Sequence, residues 1–307
     1  MLLSVISPVY KADAILPKLA ELISNECYAI DTDFEIILVN DGSPDNSWNI
    51  IKEICKLNKK VTGINLSKNF GQHAAINAGL AIAKGDYIVV MDCDLQHHPK
   101  YIPELINKAK EGYDIVFTIV DNRKHTFFKN IFSKIYHLVY NYLAELDSNY
   151  NYATYSVISA KVLNQYKTLT DYHSHYLPKL RWMGFKQATL PIEHFKRENG
   201  KSSYTFKKLF IEAINAITSH STKLLRINIF LGILISIISF IGIAYIIFIY
   251  FTQGFLVGWA SIVTLVLFSL GILLTSIGVA GLYIGQTFEQ VKKRPGFIID
   301  SIYNSAT

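Results

Sequence analysis

The sequence predicts an α/β domain whose mostly parallel sheet is flanked by helices, followed by an interfacial amphipathic helix and two transmembrane helices. Three observations carry this. Residues 1–120 alternate short apolar runs with segments of helical periodicity. From Ile227 to Phe288 there is no Asp, Glu, Lys or Arg. Within the first stretch, the apolar run Tyr87–Met91 ends in Asp92-Cys93-Asp94. The chain has 307 residues and a net charge of +6, with the charge outside the apolar block. About 225 residues precede that block, enough for one large domain.

The elements follow in order. Leu2–Ser7 is an apolar run closed by Pro8, the first strand. Leu16, Leu19, Leu22 and Ile23 recur at helical spacing within residues 15–27. Phe34–Val39 is the next strand, closed by the turn Asn40-Asp41-Gly42-Ser43-Pro44. A helix over 47–57, a strand over 61–66 and a helix over 73–83 lead to Gly85-Asp86 and the strand that ends at Asp92. A helix over 99–110 and a strand over 113–118 complete the alternation. Residues 124–146 are aromatic and basic, either a core-packed helix or a surface helix near a membrane.

The apolar block reads as a hairpin. Ile227–Phe251 and Leu256–Tyr283 each exceed the about 20 apolar residues a bilayer core requires, and Thr252-Gln253-Gly254 interrupts them. Lys207, Lys208, Lys223 and Arg226 precede the first span, and Lys292, Lys293 and Arg294 follow the second. Positive flanks stay cytoplasmic, which predicts that both termini and the whole first domain face the cytosol. Tyr204–Arg226 carries Phe206, Leu209, Phe210, Ala213, Ile214 and Ile217 along one side and reads as a helix in the interface plane, against membrane lipids. The predicted organisation is a domain over 1–203, an interfacial helix over 204–226, the hairpin over 227–288 and a tail over 289–307. Gly278, Gly281 and Gly285 allow close helix packing, either in a homo-oligomer or within the hairpin. Cys27, Cys55 and Cys93 show no paired spacing, which suits a reducing compartment. No nucleic-acid partner is expected.

Asp92 and Asp94 carry the chemistry. On an extended strand alternate side chains share a face, so the two carboxylates can converge. Converging carboxylates repel unless a cation lies between them. Mg²⁺ or Mn²⁺ carrying a substrate diphosphate fits, because hard ions take one or two carboxylates plus phosphate oxygens.

These residues resemble glycosyltransferase family 2, of the GT-A fold, and within it the polyprenyl-phosphate glycosyltransferases. The resemblance rests on Ser7-Pro8-Val9-Tyr10, Val39-Asn40-Asp41-Gly42-Ser43, Leu66-Ser67-Lys68-Asn69-Phe70-Gly71 with Ala75–Gly79, and Asp92-Cys93-Asp94-Leu95-Gln96. A further match is Arg197-Glu198-Asn199-Gly200-Lys201-Ser202-Ser203-Tyr204, similar to the loop that in the family closes over phosphates. The resemblance implies that Pro8, Tyr10, Asp41 and Lys68 line the nucleotide. Asp92, Asp94 and Gln96 would hold the metal, with the two aspartates catalytic. Arg197, Lys201 and Ser202 would grip phosphate. It further implies a UDP-, GDP- or dTDP-sugar donor, a polyprenyl phosphate acceptor and inversion.

Two departures bear on the acceptor. His97-His98-Pro99-Lys100 replaces the family's Asp-Pro-Pro-Glu, and Ala153-Thr154-Tyr155-Ser156 replaces a Gly-Asp-Phe-Arg-like strand. The histidines either touch the metal or donor, or fill the loop. Asp171, His173 and His175 lie where other family members keep a general base. The expected acceptor is a prenyl phosphate, which is already anionic. The alternatives are a sugar hydroxyl, with one of those three as base, and a non-catalytic scaffold. Arg181-Trp182 lacks the glutamine that would mark a processive synthase.

Overall fold

The computed structural model describes residues 1–120, 152–169, 175–193, 221–253 and 258–305. The chain forms two compact units: residues 1–130, 148–203 and 294–307, and residues 131–147 with 204–293.

The first unit contains β1 (Leu2–Val9), α1 (Leu16–Ala29), β2 (Asp33–Asn40), α2 (Ser47–Leu57), β3 (Val61–Leu66), α3 (Gln72–Ile82) and β4 (Tyr87–Val90). A 3₁₀ turn (Pro99–Tyr101), α4 (Ile102–Lys110), β5 (Ile115–Val120), β6 (Tyr152–Ser159), α5 (Ala160–Thr168), α6 (Tyr176–Trp182) and β7 (Gln187–Ile192) follow. The second unit contains α7 (Lys223–Gln253) and α8 (Trp259–Val291), after which β8 (Ile299–Asn304) returns to the first.

One sheet runs β7-β5-β6-β4-β1-β2-β3-β8. Its centre, β3-β2-β1-β4, is parallel throughout. β6 is antiparallel to both its neighbours, and β8 is antiparallel to β3. Parallel strands covered on both faces read as continuous apolar runs, and β1 is buried from Leu3 to Val9. Alternation along β1 divides the core. Leu3, Val5 and Val9 pack with α1, α2 and α4 through Leu19, Ile23, Ile51 and Leu105. Ile6 packs with α3, α5 and α6 through Ile76, Leu80, Val162 and Leu180. A Cβ at Gly79 would overlap Ile6, so the glycine brings α3 close against β1.

Two features of the sheet differ from expectation. β1 continues through Pro8, because the neighbouring β4 has already ended. Met91 N donates to Ile6 O at 3.0 Å on that side, while Asp41 N donates to Val9 O at 2.9 Å on the other. The proline nitrogen therefore faces the side where the ladder is running out. The C-terminal stretch, read from sequence as a tail, contains a strand. Five of its six residues pair with β3 from far along the chain, a non-local partnership that local pattern does not reveal.

In the second unit, α7 and α8 are 31 and 33 residues long. Ser276 Oγ donates to Asn228 Oδ1 at 3.2 Å and Tyr283 Oη to Ser221 O at 2.8 Å, which sets the helices antiparallel. Large apolar side chains along both are exposed, Phe240 at 78% and Phe268 at 65%. The windows Lys223–Gly242 and Phe268–Val291 are long and apolar enough to cross a membrane. A Cβ at Gly278, Gly281 or Gly285 would meet no described atom within 4 Å.

Candidate active site

The candidate residues gather at the carboxyl ends of β1, β2, β3 and β4, where open α/β sheets place ligands. Asp41 follows β2 and is 3% exposed. Its Oδ1 accepts from Phe70 N at 2.7 Å and its Oδ2 from Gly71 N at 2.9 Å. Burial raises its carboxyl above the ordinary value, against the lowering effect of these two bonds. Asp41 thus fastens the loop after β3 to the loop after β2. Gly42 tightens the same junction. Its φ is +58°, and a Cβ there would lie 2.5 Å from the Lys68 carbonyl carbon. Lys68 is exposed, with Nζ 5.0 Å from the Phe70 ring centroid.

The loop after β1 is pinned to the loop after β2. Lys11 N donates to Ser43 Oγ at 3.2 Å and Ala12 N to Ser47 Oγ at 3.2 Å. Tyr10 is 41% exposed, and Lys11 holds a left-handed φ of 53°.

The aspartate pair is built differently from expectation. β4 ends at Val90, and Cys93 and Asp94 lie in a turn beyond it. Strand alternation therefore does not set the two carboxylates. The turn places them instead. Leu95 is buried at a left-handed φ of 57°, and Gln96 N donates to Asp94 Oδ1 at 3.1 Å. A left-handed leucine costs about 1–2 kcal/mol, strain that burial of the side chain offsets and that re-aims the chain at this point. Asp92 is held from the side: Gln72 Nε2 donates to its Oδ1 at 2.6 Å. Gln72 is the first residue of α3, so the positive end of that helix lies beside this carboxylate.

Cys93 lies between the aspartates, half-buried. Burial, and next the charge of Asp92, push its thiol up to about 12. His98 fills its loop: its Nδ1 accepts from Lys100 N at 3.1 Å and caps the 3₁₀ turn. His97 is buried and stacks on Tyr155 with centroids 6.1 Å apart. Among the described residues no three His, Cys, Asp or Glu side chains gather as a metal cluster.

His175 meets His73 edge-on at 4.7 Å between centroids, and Tyr176 N donates to His73 Nδ1 at 3.5 Å. His73 directly follows Gln72, so this pair adjoins the support of Asp92. Sequence reasoning missed Gln72, His73 and Leu95. Gln72 and His73 fall between the two halves of the third motif, and a left-handed leucine has no sequence signal. Asp171, His173, Arg197, Lys201, Ser202, residues 204–220 of the interfacial helix expected over 204–226, and the helix expected over 124–146 lie outside the described residues.

The glycosyl transferase family 2 model matches residues 4–167, more than half the chain. The chain belongs to that family, and it is a nucleotide-sugar glycosyltransferase. It is 32% identical over 324 aligned positions to the undecaprenyl-phosphate 4-deoxy-4-formamido-L-arabinose transferase of Aeromonas hydrophila, covering 100% of this chain and 95% of that one. It is 31% identical over 302 residues to the uncharacterized glycosyltransferase YkcC of Bacillus subtilis, covering 98% and 94%. Among solved structures, glucosyl-3-phosphoglycerate synthase of Mycobacterium tuberculosis shares the GT-A fold. It superposes with a TM-score of 0.51 at 16% identity, over 71% of this chain and 78% of that one.

Proposed function

We propose that the chain transfers one sugar from a nucleoside diphosphate donor to a polyprenyl phosphate at the cytoplasmic leaflet, inverting the anomeric carbon. The observation that carries this reading is the likeness to the undecaprenyl-phosphate transferase, which runs the full length of the chain, apolar helices included.

In this reading Pro8, Tyr10, Asp41 and Lys68 surround the nucleoside. Each Asp41 oxygen accepts one backbone bond and retains capacity for a second. Asp92, Asp94 and the Gln96 amide form a hard oxygen set suited to Mg²⁺ or Mn²⁺, with remaining ligands from diphosphate and water. The fold-sharing synthase was solved with Mn²⁺ and UDP-glucose, which supports the assignment. A bound divalent ion supplies the positive charge that stabilises the departing nucleoside diphosphate. Arg197, Lys201 and Ser202 close on phosphate. An oxygen of the acceptor phosphate attacks C1, the bond from C1 to the diphosphate breaks, and the nucleoside diphosphate leaves with the electron pair. The acceptor, with a second pKa of about 6, brings no proton that must be removed.

The topology is supported by β8. It lies after both apolar helices, yet pairs within the sheet that precedes them. In this reading the segment between residues 221 and 299 leaves the membrane on the side where it entered, which two crossings satisfy. Helices of 31 and 33 residues, rising about 1.5 Å each, exceed the roughly 30 Å of hydrocarbon. The basic flanks Lys223, Arg226 and Lys292–Arg294 support a cytoplasmic position for both ends.

A second reading has a hydroxyl acceptor with His175 as base, favoured by its position against His73 next to Gln72. One experiment separates them. Purified protein is incubated with UDP-, GDP- and dTDP-sugars and Mn²⁺, with undecaprenyl phosphate in one series and a lipid-linked sugar in another, and the lipid product is identified by mass. One glycosyl unit added to undecaprenyl phosphate supports the proposal. Product only from lipid-linked sugars supports the hydroxyl reading.

A further inference from the structure

The strand that follows the apolar hairpin reaches the candidate nucleotide loops through side chains. Asn40, the residue before Asp41, is 2% exposed. Its Oδ1 accepts from Ser43 N at 3.4 Å, and its Nδ2 donates to Asn65 Oδ1 at 2.7 Å. Asn65 Nδ2 in turn donates to Asp300 Oδ2 at 3.1 Å. Three consecutive strands, β2, β3 and β8, each contribute one member of this chain of hydrogen bonds.

The geometry has a local cause. Asn65 pairs with Ser301 and Leu66 with Ile299, so Asp300 is the extra residue of a β-bulge. Bulges re-aim a side chain that regular pleating would direct elsewhere. Ser301 Oγ donates to the same Asp300 oxygen at 3.1 Å and holds the carboxylate in place. The backbone ladder continues past the bulge: Ser67 N donates to Ile298 O at 3.0 Å. Ser67 opens the loop whose Phe70 and Gly71 amides Asp41 captures. The tail thus supports both loops, one by main chain and one by the Asp300–Asn65–Asn40 relay.

We infer that the C-terminal strand is part of the donor site, and that Asp300 is a positioning residue which sets the loops over 40–43 and 67–71 for the nucleotide. This rests on the proposed reading that those loops bind the donor. Because residues 292–298 join β8 directly to α8, the sugar-transferring domain would bind donor well only when the chain after the second apolar helix is docked.

The test uses the full-length protein in detergent with three variants. Asp300→Ala removes the last acceptor of the relay. Asp300→Asn keeps a carbonyl oxygen there. Asn304→Ala removes the bond to Thr62 Oγ1, at the far end of the same strand pair. Hydrogen exchange at the amides of residues 41–43 and 67–71 is measured without ligand, and donor KM, acceptor KM and kcat are measured with it. Asp300→Ala is expected to speed exchange in both loops and raise donor KM about three- to tenfold, the loss of one hydrogen bond. Acceptor KM and kcat should stay near wild type, Asp300→Asn should restore donor KM, and Asn304→Ala should change neither readout. Unchanged exchange in Asp300→Ala, or an equal effect from Asn304→Ala, overturns the relay. Faster exchange with unchanged donor KM keeps the relay and overturns the donor-loop reading on which the inference stands.

Discussion

The side-chain amide of Gln72 donates a 2.6 Å hydrogen bond to Asp92 Oδ1. The preceding residue, Gly71, donates its backbone N–H to Asp41. Two adjacent residues at the start of α3 thus connect the carboxylate after β2 to the carboxylate after β4. The donor's nucleoside and its diphosphate would be referenced to the same helix end.

Replacing Gln72 with alanine should therefore damage catalysis without damaging the fold. Hydrogen bonds to charged groups contribute about 1.5–3 kcal/mol, which predicts a loss of roughly 10- to 100-fold in kcat/KM. Gln72→Glu should be worse, because it sets a second negative charge against Asp92. Steady-state kinetics with Mn²⁺ varied check this. An Ala variant with wild-type kinetics would remove Gln72 from the site.

Asp41→Asn offers one carbonyl oxygen to two backbone N–H donors and turns its own NH₂ toward the other. This should destabilise the domain by about 1–3 kcal/mol, the cost of an unsatisfied buried group. A thermal melt of the purified protein reads it. Burial raises the Asp41 carboxyl, so acidification protonates it ahead of ordinary aspartates and removes an acceptor from the loop. Donor affinity should fall as pH drops through that raised value, and the fall should be absent in Asp41→Asn.

All three thiols should resist alkylation at neutral pH. Burial pushes Cys27 to about 12, Cys55 to about 11 and Cys93 to about 12. Native protein treated with iodoacetamide should keep its activity and its free thiols, while denatured protein should react at all three positions. Rapid labelling at Cys93 with loss of activity would show a thiolate between the aspartates.

Much of this fold was legible because parallel strands buried on both faces show as apolar runs. The helix expected over residues 47–57 matches α2, and the runs of β1, β2 and β3 sit within a residue or two of their observed limits. What escaped depended on partners distant in sequence. β8 pairs with β3 only after the chain returns from two long apolar helices. β6 enters antiparallel between β4 and β5, which reverses the direction that simple alternation implies. At the site, Asp92 and Asp94 were legible as residue types. Their placement was not, because it depends on the left-handed Leu95 and on Gln72 from another element.

The hairpin topology can be read with reporters. A fusion after Thr307 should report cytoplasm and an insertion at Gln253 the opposite side. Since β8 and β1 share a sheet, a reporter at the amino terminus must agree with the one after Thr307. Disagreement between the two ends would contradict both the two-span reading and the pairing of β8.

The central claim is that the new bond forms at a phosphate oxygen of a prenyl lipid. The phosphorus-31 spectrum of the purified lipid product, titrated from about pH 5 to about pH 8, tests it most directly. A phosphate monoester titrates near pH 6 and a diester does not. The account predicts a product whose phosphorus shift is flat across that range, at a mass one glycosyl unit above the acceptor. A product that still titrates near pH 6 would mean the sugar went to another group, and would contradict it.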